Sequence, residues 1–203
     1  MKKRIITISQ AVGSGGRTIG KEVAKCLKIP YYDKELMDKI FESSSSYADF
    51  IEEIGEYAPE ASNLLFNIAM FPNSISTMGI EPMADQQFVY QTNVIRRLAE
   101  EGPCVIIGCC ADYALRDRED CIHVFIHADM KYRTERIVRL CGYAKQMLHK
   151  RLADNDKKRK AYYRHYTNRN WGEAKNYDLC LNAALGLDTC ADLIVDAAKA
   201  MNK

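Results

Sequence analysis

Arg4-Ile5-Ile6-Thr7-Ile8-Ser9-Gln10-Ala11-Val12-Gly13-Ser14-Gly15-Gly16-Arg17-Thr18-Ile19-Gly20, followed by Lys21-Glu22-Val23-Ala24-Lys25-Cys26-Leu27, decides the fold. Ile5 to Ser9 is a short apolar run of strand type, and Arg17–Leu27 carries the apolar spacing of a helix. A glycine-rich turn lies between them. Glycine lets the backbone come close to a polyphosphate, so that successive N–H groups point at its oxygens. The N-terminus of the following helix adds partial positive charge at the same place.

The general phosphate loop reads G-x-x-x-x-G-K-[ST]. Gly16, Arg17 and Thr18 occupy its last three positions, and Ala11 stands where its first glycine would be. Arg17 keeps the charge of the lysine it replaces but is a planar fork rather than a compact ammonium. Thr18 takes the place of the hydroxyl that binds magnesium. A dinucleotide fingerprint G-x-G-x-x-G starting at Gly13 fails, because Thr18 stands at its final glycine.

At 203 residues the chain is long enough for one well-buried core. The net charge of +2 implies no large nucleic-acid footprint. No apolar run reaches transmembrane length, and no signal peptide is evident, so the expected location is cytoplasmic. The basic residues concentrate between 145 and 169: Lys145, Lys150, Arg151, Lys157, Lys158, Arg159, Lys160, Arg164 and Arg169, against Asp154 and Asp156. Such a run is either a solvated helix face or a flap over phosphates. The chain has eight cysteines and no C-x-x-C pair. Reduced thiols packed as small hydrophobes are expected, with Cys26, Cys104, Cys121 and Cys180 in apolar segments. Neither these cysteines nor the adjacent pair Cys109-Cys110 has zinc or disulfide spacing.

Continuous apolar runs predict strands at Ile5–Ser9, Ile29–Tyr32, Cys104–Gly108, Cys121–Ala128 and Tyr177–Asn182. Helical spacing predicts helices at Arg17–Leu27, Lys34–Ser43, Ala61–Phe71, Gln87–Glu100, Met130–Leu140, about Ala144–Tyr166, and Asp188–Met201. Alternating elements of this kind give an open α/β sheet, parallel and covered on both faces, with right-handed crossovers. Ligands bind beyond the carboxyl ends of such strands. Residues 43–85 are too long for a plain connection and are read as a functional lid or a substrate-binding insertion.

Several of these pieces, in this order, resemble the cytidylate kinase-like group of P-loop nucleoside monophosphate kinases, in its branch with a G-S-G-G-R loop. They are Ile8-Ser9 running into Gly13–Arg17, Tyr31-Tyr32-Asp33-Lys34-Glu35-Leu36, Val105-Ile106-Ile107-Gly108, Ala111-Asp112-Tyr113 and Val124-Phe125-Ile126. Asp156-Lys157-Lys158-Arg159, Tyr162-Tyr163, Trp171-Gly172 and Asn176-Tyr177-Asp178-Leu179 continue the resemblance over nearly the whole chain. It implies a single kinase domain over 1–203 with the three-layer α/β/α P-loop NTPase fold and a central parallel sheet of about five strands, an acceptor cover at about 43–85, and a lid over ATP at about 142–172.

The resemblance also implies roles. Gly13, Ser14, Gly15, Gly16, Arg17 and Thr18 would hold the β- and γ-phosphates of ATP, with Mg2+ on Thr18. Arg133 and Arg136 match the paired arginines that open the lid and bridge both phosphates; a solvated helix face shared with Glu135 is the alternative. Arg159 would contact the transferring phosphate and Asp156 would orient it, where a surface ion pair is the alternative. Asn182 would border the adenine, although Ala183 lacks the hydroxyl that commonly follows it. Asp33 either caps a helix beginning at Lys34 or binds the acceptor. Asp112 either caps a short helix or reads the acceptor nucleoside.

Cys109 stands directly after Gly108, where the resemblance leads one to expect an arginine gripping the acceptor. A thiol supplies neither that charge nor a bidentate grip, so Arg96, Arg97 or Arg116 would have to serve, or the acceptor differs. Trp171, Tyr162, Tyr163, Tyr166 and Tyr177 are expected to pack the core and the lid hinge rather than to stack bases. The activity implied is ATP- and Mg2+-dependent phosphoryl transfer to a nucleoside monophosphate, with CMP or dCMP as first candidates. The partners are then nucleotides, not nucleic acid or membrane. The alternatives are a P-loop kinase for another small acceptor, and an ATP-sensing module without turnover.

Overall fold

The computed structural model of the chain describes residues 5–33, 81–108, 110–141 and 145–200. The helices expected at Lys34–Ser43 and Ala61–Phe71, and Cys109, lie outside the described residues, as does the expected insertion up to residue 80.

Strands β1 (Ile5–Gln10), β2 (Tyr31–Tyr32), β3 (Cys104–Ile107), β4 (Cys121–His127) and β5 (Leu179–Asn182) form one five-stranded sheet in the order β2-β3-β1-β4-β5. Every pairing is parallel. β1 lies at the centre, with Ile8 opposite Ile107 on one side and Val124 on the other. The helices are α1 (Gly16–Leu27), α2 (Glu81–Glu101), α3 (Ala111–Ala114), α4 (Met130–Cys141), α5 (Lys145–Thr167) and α6 (Leu187–Ala200).

Successive side chains of a strand point to opposite faces. Ile6, Ile8, Val105, Ile107, Ile122, Val124 and Ile126 therefore face one way and pack on Ile19 and Val23 of α1 and on Ile194 and Val195 of α6. Ile5, Cys104, Ile106 and Cys121 face the other way, onto Ile95, Leu98 and Ala99 of α2 and Ala111, Ala114 and Leu115. Each of these isoleucines, fully buried, contributes roughly 1.5–3 kcal/mol relative to exposure. A sheet covered on both faces in this way explains the unbroken apolar runs.

The glycine loop and α1 dock closely on the sheet. A Cβ on Gly20 would lie 2.5 Å from Ile107 Cδ1. α1 ends at Lys28 in the left-handed region, whose N–H and that of Ile29 return to Lys25 O and Ala24 O. Among the described cysteines, Cys104, Cys110, Cys121 and Cys190 are buried, but Cys26 and Cys180 are exposed, which corrects the expectation for those two. Cys26 lies on the outer face of α1 beside Glu22. Cys180 lies on β5, an edge strand whose burial alternates.

Candidate active site at the carboxyl edge of the sheet

β1 runs into the loop at Gln10. The N–H of Ala11 donates to Ile126 O of β4 at 2.9 Å, and the N–H of Ser14 returns to Ala11 O at 3.1 Å, which closes a tight turn. Gly13 (φ +82°) and Gly15 (φ +99°) occupy backbone that side chains strain to adopt. Gly15 also has no room for a side chain: a Cβ there would lie 2.8 Å from Leu187 Cδ2 and 3.2 Å from Arg136 Nε. Ser14 is fully buried, and its hydroxyl donates to Ile126 O at 3.3 Å, so its side chain braces the loop from below. α1 starts at Gly16, and the N–H groups of its first turn, those of Gly16, Arg17 and Thr18, have no intrahelical acceptor. Arg17 and Thr18 are exposed at that turn. The loop is thus an anion cradle at a helix N-terminus.

Arginines from other elements converge on it. Asp129 caps α4 by accepting from the N–H of Tyr132 at 2.7 Å, which fixes the first turn carrying Arg133 and Arg136. Arg136 Nη2 donates to Thr18 Oγ1 at 2.9 Å, placing its guanidinium beside Gly15 and the start of α1. Arg133 does not lie on a solvated face. It is buried, with Nη1 donating to Val12 O at 3.1 Å and to Asp156 Oδ2, while its buried Nε has no hydrogen-bond partner among the described residues. From α5, Asp156 Oδ1 accepts from the N–H of Val12 at 2.9 Å, and Arg159 Nη1 donates to Gln10 O at 2.6 Å. Asp156 is therefore not a surface residue; it reaches from α5 to the phosphate loop and to α4. Arg133, Arg136 and Arg159 converge here with the carboxylate of Asp156, and Arg17 stands on the first turn of α1; a cluster of guanidinium groups of this kind suits a polyphosphate.

Thr18 is the residue expected from the sequence to hold magnesium. Its hydroxyl has two acceptor sites and Arg136 uses one, so an oxygen lone pair remains. Both oxygens of Asp156 are already engaged. No group of three or more His, Cys, Asp or Glu side chains that could hold a metal occurs among the described residues. A cation here would be bound through Thr18, substrate phosphates and water, the usual pattern for magnesium at kinase sites.

On the face of the sheet opposite α1 lie three buried or part-buried polar pairs that the sequence did not reveal. Trp171 Nε1 donates to Ser9 Oγ at 2.9 Å, and its ring meets Phe125 edge-on at 5.2 Å. Thr7 Oγ1 and His123 Nδ1 are 2.8 Å apart. Tyr163 OH donates to Asp112 Oδ2, and both residues are 3% exposed. Burial holds the Asp112 carboxyl above its ordinary range, against the bond from Tyr163 and the positive influence of His123 and Arg169. Burial likewise lowers His123, against the nearby Asp112 and Asp178. Asp112 is not the cap of its helix: Cys110 is, in left-handed backbone, and Asp112 sits in the first turn facing α5. The available signal was in β1, where Thr7 and Ser9 put hydroxyls at alternate positions of an otherwise apolar strand.

The remaining expected residues are dispersed. Asn182 Oδ1 accepts from the N–H of Ala184 at 3.0 Å and so caps the short turn Ala183–Leu185. Asp33 is buried just past β2, and the helix it was expected to cap lies outside the described residues. Arg96 Nε donates to Ala114 O at 3.3 Å, and Arg116 lies over the Tyr113 ring at 4.2 Å.

A profile of the cytidylate kinase-like family matches residues 5–184. A crystal structure of an uncharacterized protein from Eubacterium ventriosum ATCC 27560 is similar at 27% identity and a TM-score of 0.74, covering 98% of this chain and 99% of that one. Shikimate kinase from Bacteroides thetaiotaomicron shares 17% identity at a TM-score of 0.55, covering 98% of this chain and 99% of its own. A gluconokinase from Sinorhizobium meliloti 1021 shares 14% at 0.56, covering 98% and 93%. At these identities the two kinases show the fold, which is that of P-loop kinases. No curated protein sequence matches the chain. No helix among the described residues is long and apolar enough to cross a membrane.

Proposed function

Because the chain belongs to the cytidylate kinase-like family, we propose that it transfers the γ-phosphoryl group of ATP to a nucleoside monophosphate, with CMP or dCMP as the first acceptors to test. The observation that carries this reading is the meeting of Arg136 with Thr18 and Gly15 at the N-terminus of α1. Positive charge from a second helix is focused there on a ready-made phosphate cradle.

Phosphoryl transfer asks little covalent chemistry of a protein. It asks for in-line positioning and for charge stabilisation of the transferring group. An acceptor phosphate oxygen attacks the γ-phosphorus as the bond to the β–γ bridging oxygen breaks, and ADP leaves with no covalent enzyme intermediate. The first-turn N–H groups of α1 hold the β- and γ-phosphates. Arg17 and Arg136 neutralise charge as it shifts toward the leaving oxygen, and Arg159 enters from α5. Thr18 would hold magnesium through its hydroxyl, and the ion would supply screening of the phosphate charge. Such an enzyme belongs where ATP and magnesium are abundant, the cytoplasm.

The test is product analysis of purified protein with ATP and magnesium against the ribo- and deoxyribonucleoside monophosphates. CDP or dCDP is the expected product. Arg17→Ala is expected to reduce transfer by about 10³-fold or more, the scale at which a transition-state arginine acts; unchanged turnover would remove the loop from the mechanism. Cys109, directly after Gly108, supports a second reading, in which the acceptor is another small molecule. Diphosphate formation from none of the nucleotides, with ATP still bound, would favour it.

A further inference from the structure

Val12 is not a position that phosphate-loop motifs distinguish, yet side chains from two remote helices bind both of its backbone polar groups. Its N–H donates to Asp156 Oδ1 at 2.9 Å, and its carbonyl accepts from Arg133 Nη1 at 3.1 Å. The same Arg133 nitrogen donates to Asp156 Oδ2, so carboxylate, guanidinium and peptide close a ring. The two side chains are 8% and 14% exposed, Arg133 and Asp156 respectively, so water hardly competes for these bonds. On the other side of Ala11, the Gln10 carbonyl is held by Arg159. Ala11 itself is held by β4.

We propose that Asp156 is a positioning residue for the phosphate loop. Together with Arg133 it fixes the peptide groups flanking Val12, and thereby the entry of the chain into Gly13–Gly16. A loop with glycines at Gly13, Gly15 and Gly16 has many accessible conformations, and selecting one at the moment of nucleotide binding weakens affinity. A charge-assisted bond to the Val12 amide in a sheltered site removes much of that freedom beforehand. The role differs from that of orienting an arginine toward the transferring phosphate. It makes the loop's shape conditional on where α5 lies, and α5 brings Arg159 with it. The consequence for catalysis rests on the phosphoryl-transfer reading above; the pinning of the loop does not.

The test is amide hydrogen exchange at Val12 in nucleotide-free protein, paired with calorimetric ATP titration. In the wild type the Val12 amide is expected to be protected. Asp156→Ala is expected to speed its exchange by about tenfold or more, as befits loss of a bond to a charged group, while the amides of β1 and β4 keep their rates. ATP affinity is expected to fall about tenfold by the same reasoning, with the KM for the acceptor unchanged. Asp156→Asn retains an acceptor oxygen and is expected to recover part of the protection and part of the affinity. Equal Val12 exchange in the wild type and Asp156→Ala overturns the proposal. Lost protection with undiminished ATP affinity overturns its functional half. Should Asp156→Ala not fold, an unprotected Val12 amide in the wild type overturns it alone. A wild type that binds no ATP, but whose Val12 protection depends on Asp156, confirms the pinning and removes the kinase reading.

Discussion

Gly15 cannot be exchanged for any other residue without strain. Its φ of +99° and the 2.8 Å that would separate a Cβ there from Leu187 act together. Gly15→Ala is expected to destabilise the protein by about 1–3 kcal/mol, the scale of a residue forced into left-handed backbone. It is expected to weaken ATP binding as well, because the first turn of α1 must shift; thermal melting and ATP titration of the same sample check both. Asp112 offers a pH signature. Its carboxyl titrates higher in the folded chain than the ordinary 3.8, so the folded state holds that proton more tightly than the unfolded one. The stability this contributes is complete below pH 3.8 and is lost as pH rises through the raised folded value. Asp112→Asn still accepts from Tyr163 and carries no charge to bury. Its melting temperature relative to the wild type is expected to rise from pH 4 toward pH 8, and melting curves across that range check the slope. Residue identities in the loop were legible because turn chemistry is local. The partners of Asp156 were not, because Val12 and Arg133 reach it from other elements and no spacing rule links them.

At the scale of elements, apolar runs bounded by turns located each strand among the described residues to within a few positions. β2 and β5 proved shorter than expected, at Tyr31–Tyr32 and Leu179–Asn182, because both are edge strands with a single neighbour to pair with. α5 was legible as a basic helix, but its inward contacts were not. Its residues Asp156, Arg159 and Tyr163 recur at helical spacing among solvated lysines and face the loop and the sheet. Tyr163 ties the helix to α3, where its hydroxyl bonds the buried Asp112. Tyr163→Phe leaves that carboxylate short of a donor. Urea unfolding is expected to show a loss of about 1–3 kcal/mol, the cost of an unsatisfied buried group. The ring survives in this variant, so its packing contributes little to the change.

For the molecule as a whole, metal and fold are expected to be separable. The core rests on apolar side chains on both faces of the sheet, and Thr18, the residue proposed to hold magnesium, lies outside that core with its hydroxyl bonded to Arg136. Chelation with EDTA is expected to abolish phosphoryl transfer while leaving the nucleotide-free melting temperature unchanged; a fall in melting temperature would indicate a structural cation instead. The sheet order has a further consequence, during synthesis. β1 is made before its partners, yet Ile5 pairs with Cys104 and Cys121. With a ribosome adding on the order of 5–20 residues each second, this apolar strand waits for several seconds, exposed, for the neighbours that bury it. Long-range pairing of this kind also slows folding. Protection of the nascent chain therefore matters most for the strand that leads into the phosphate loop.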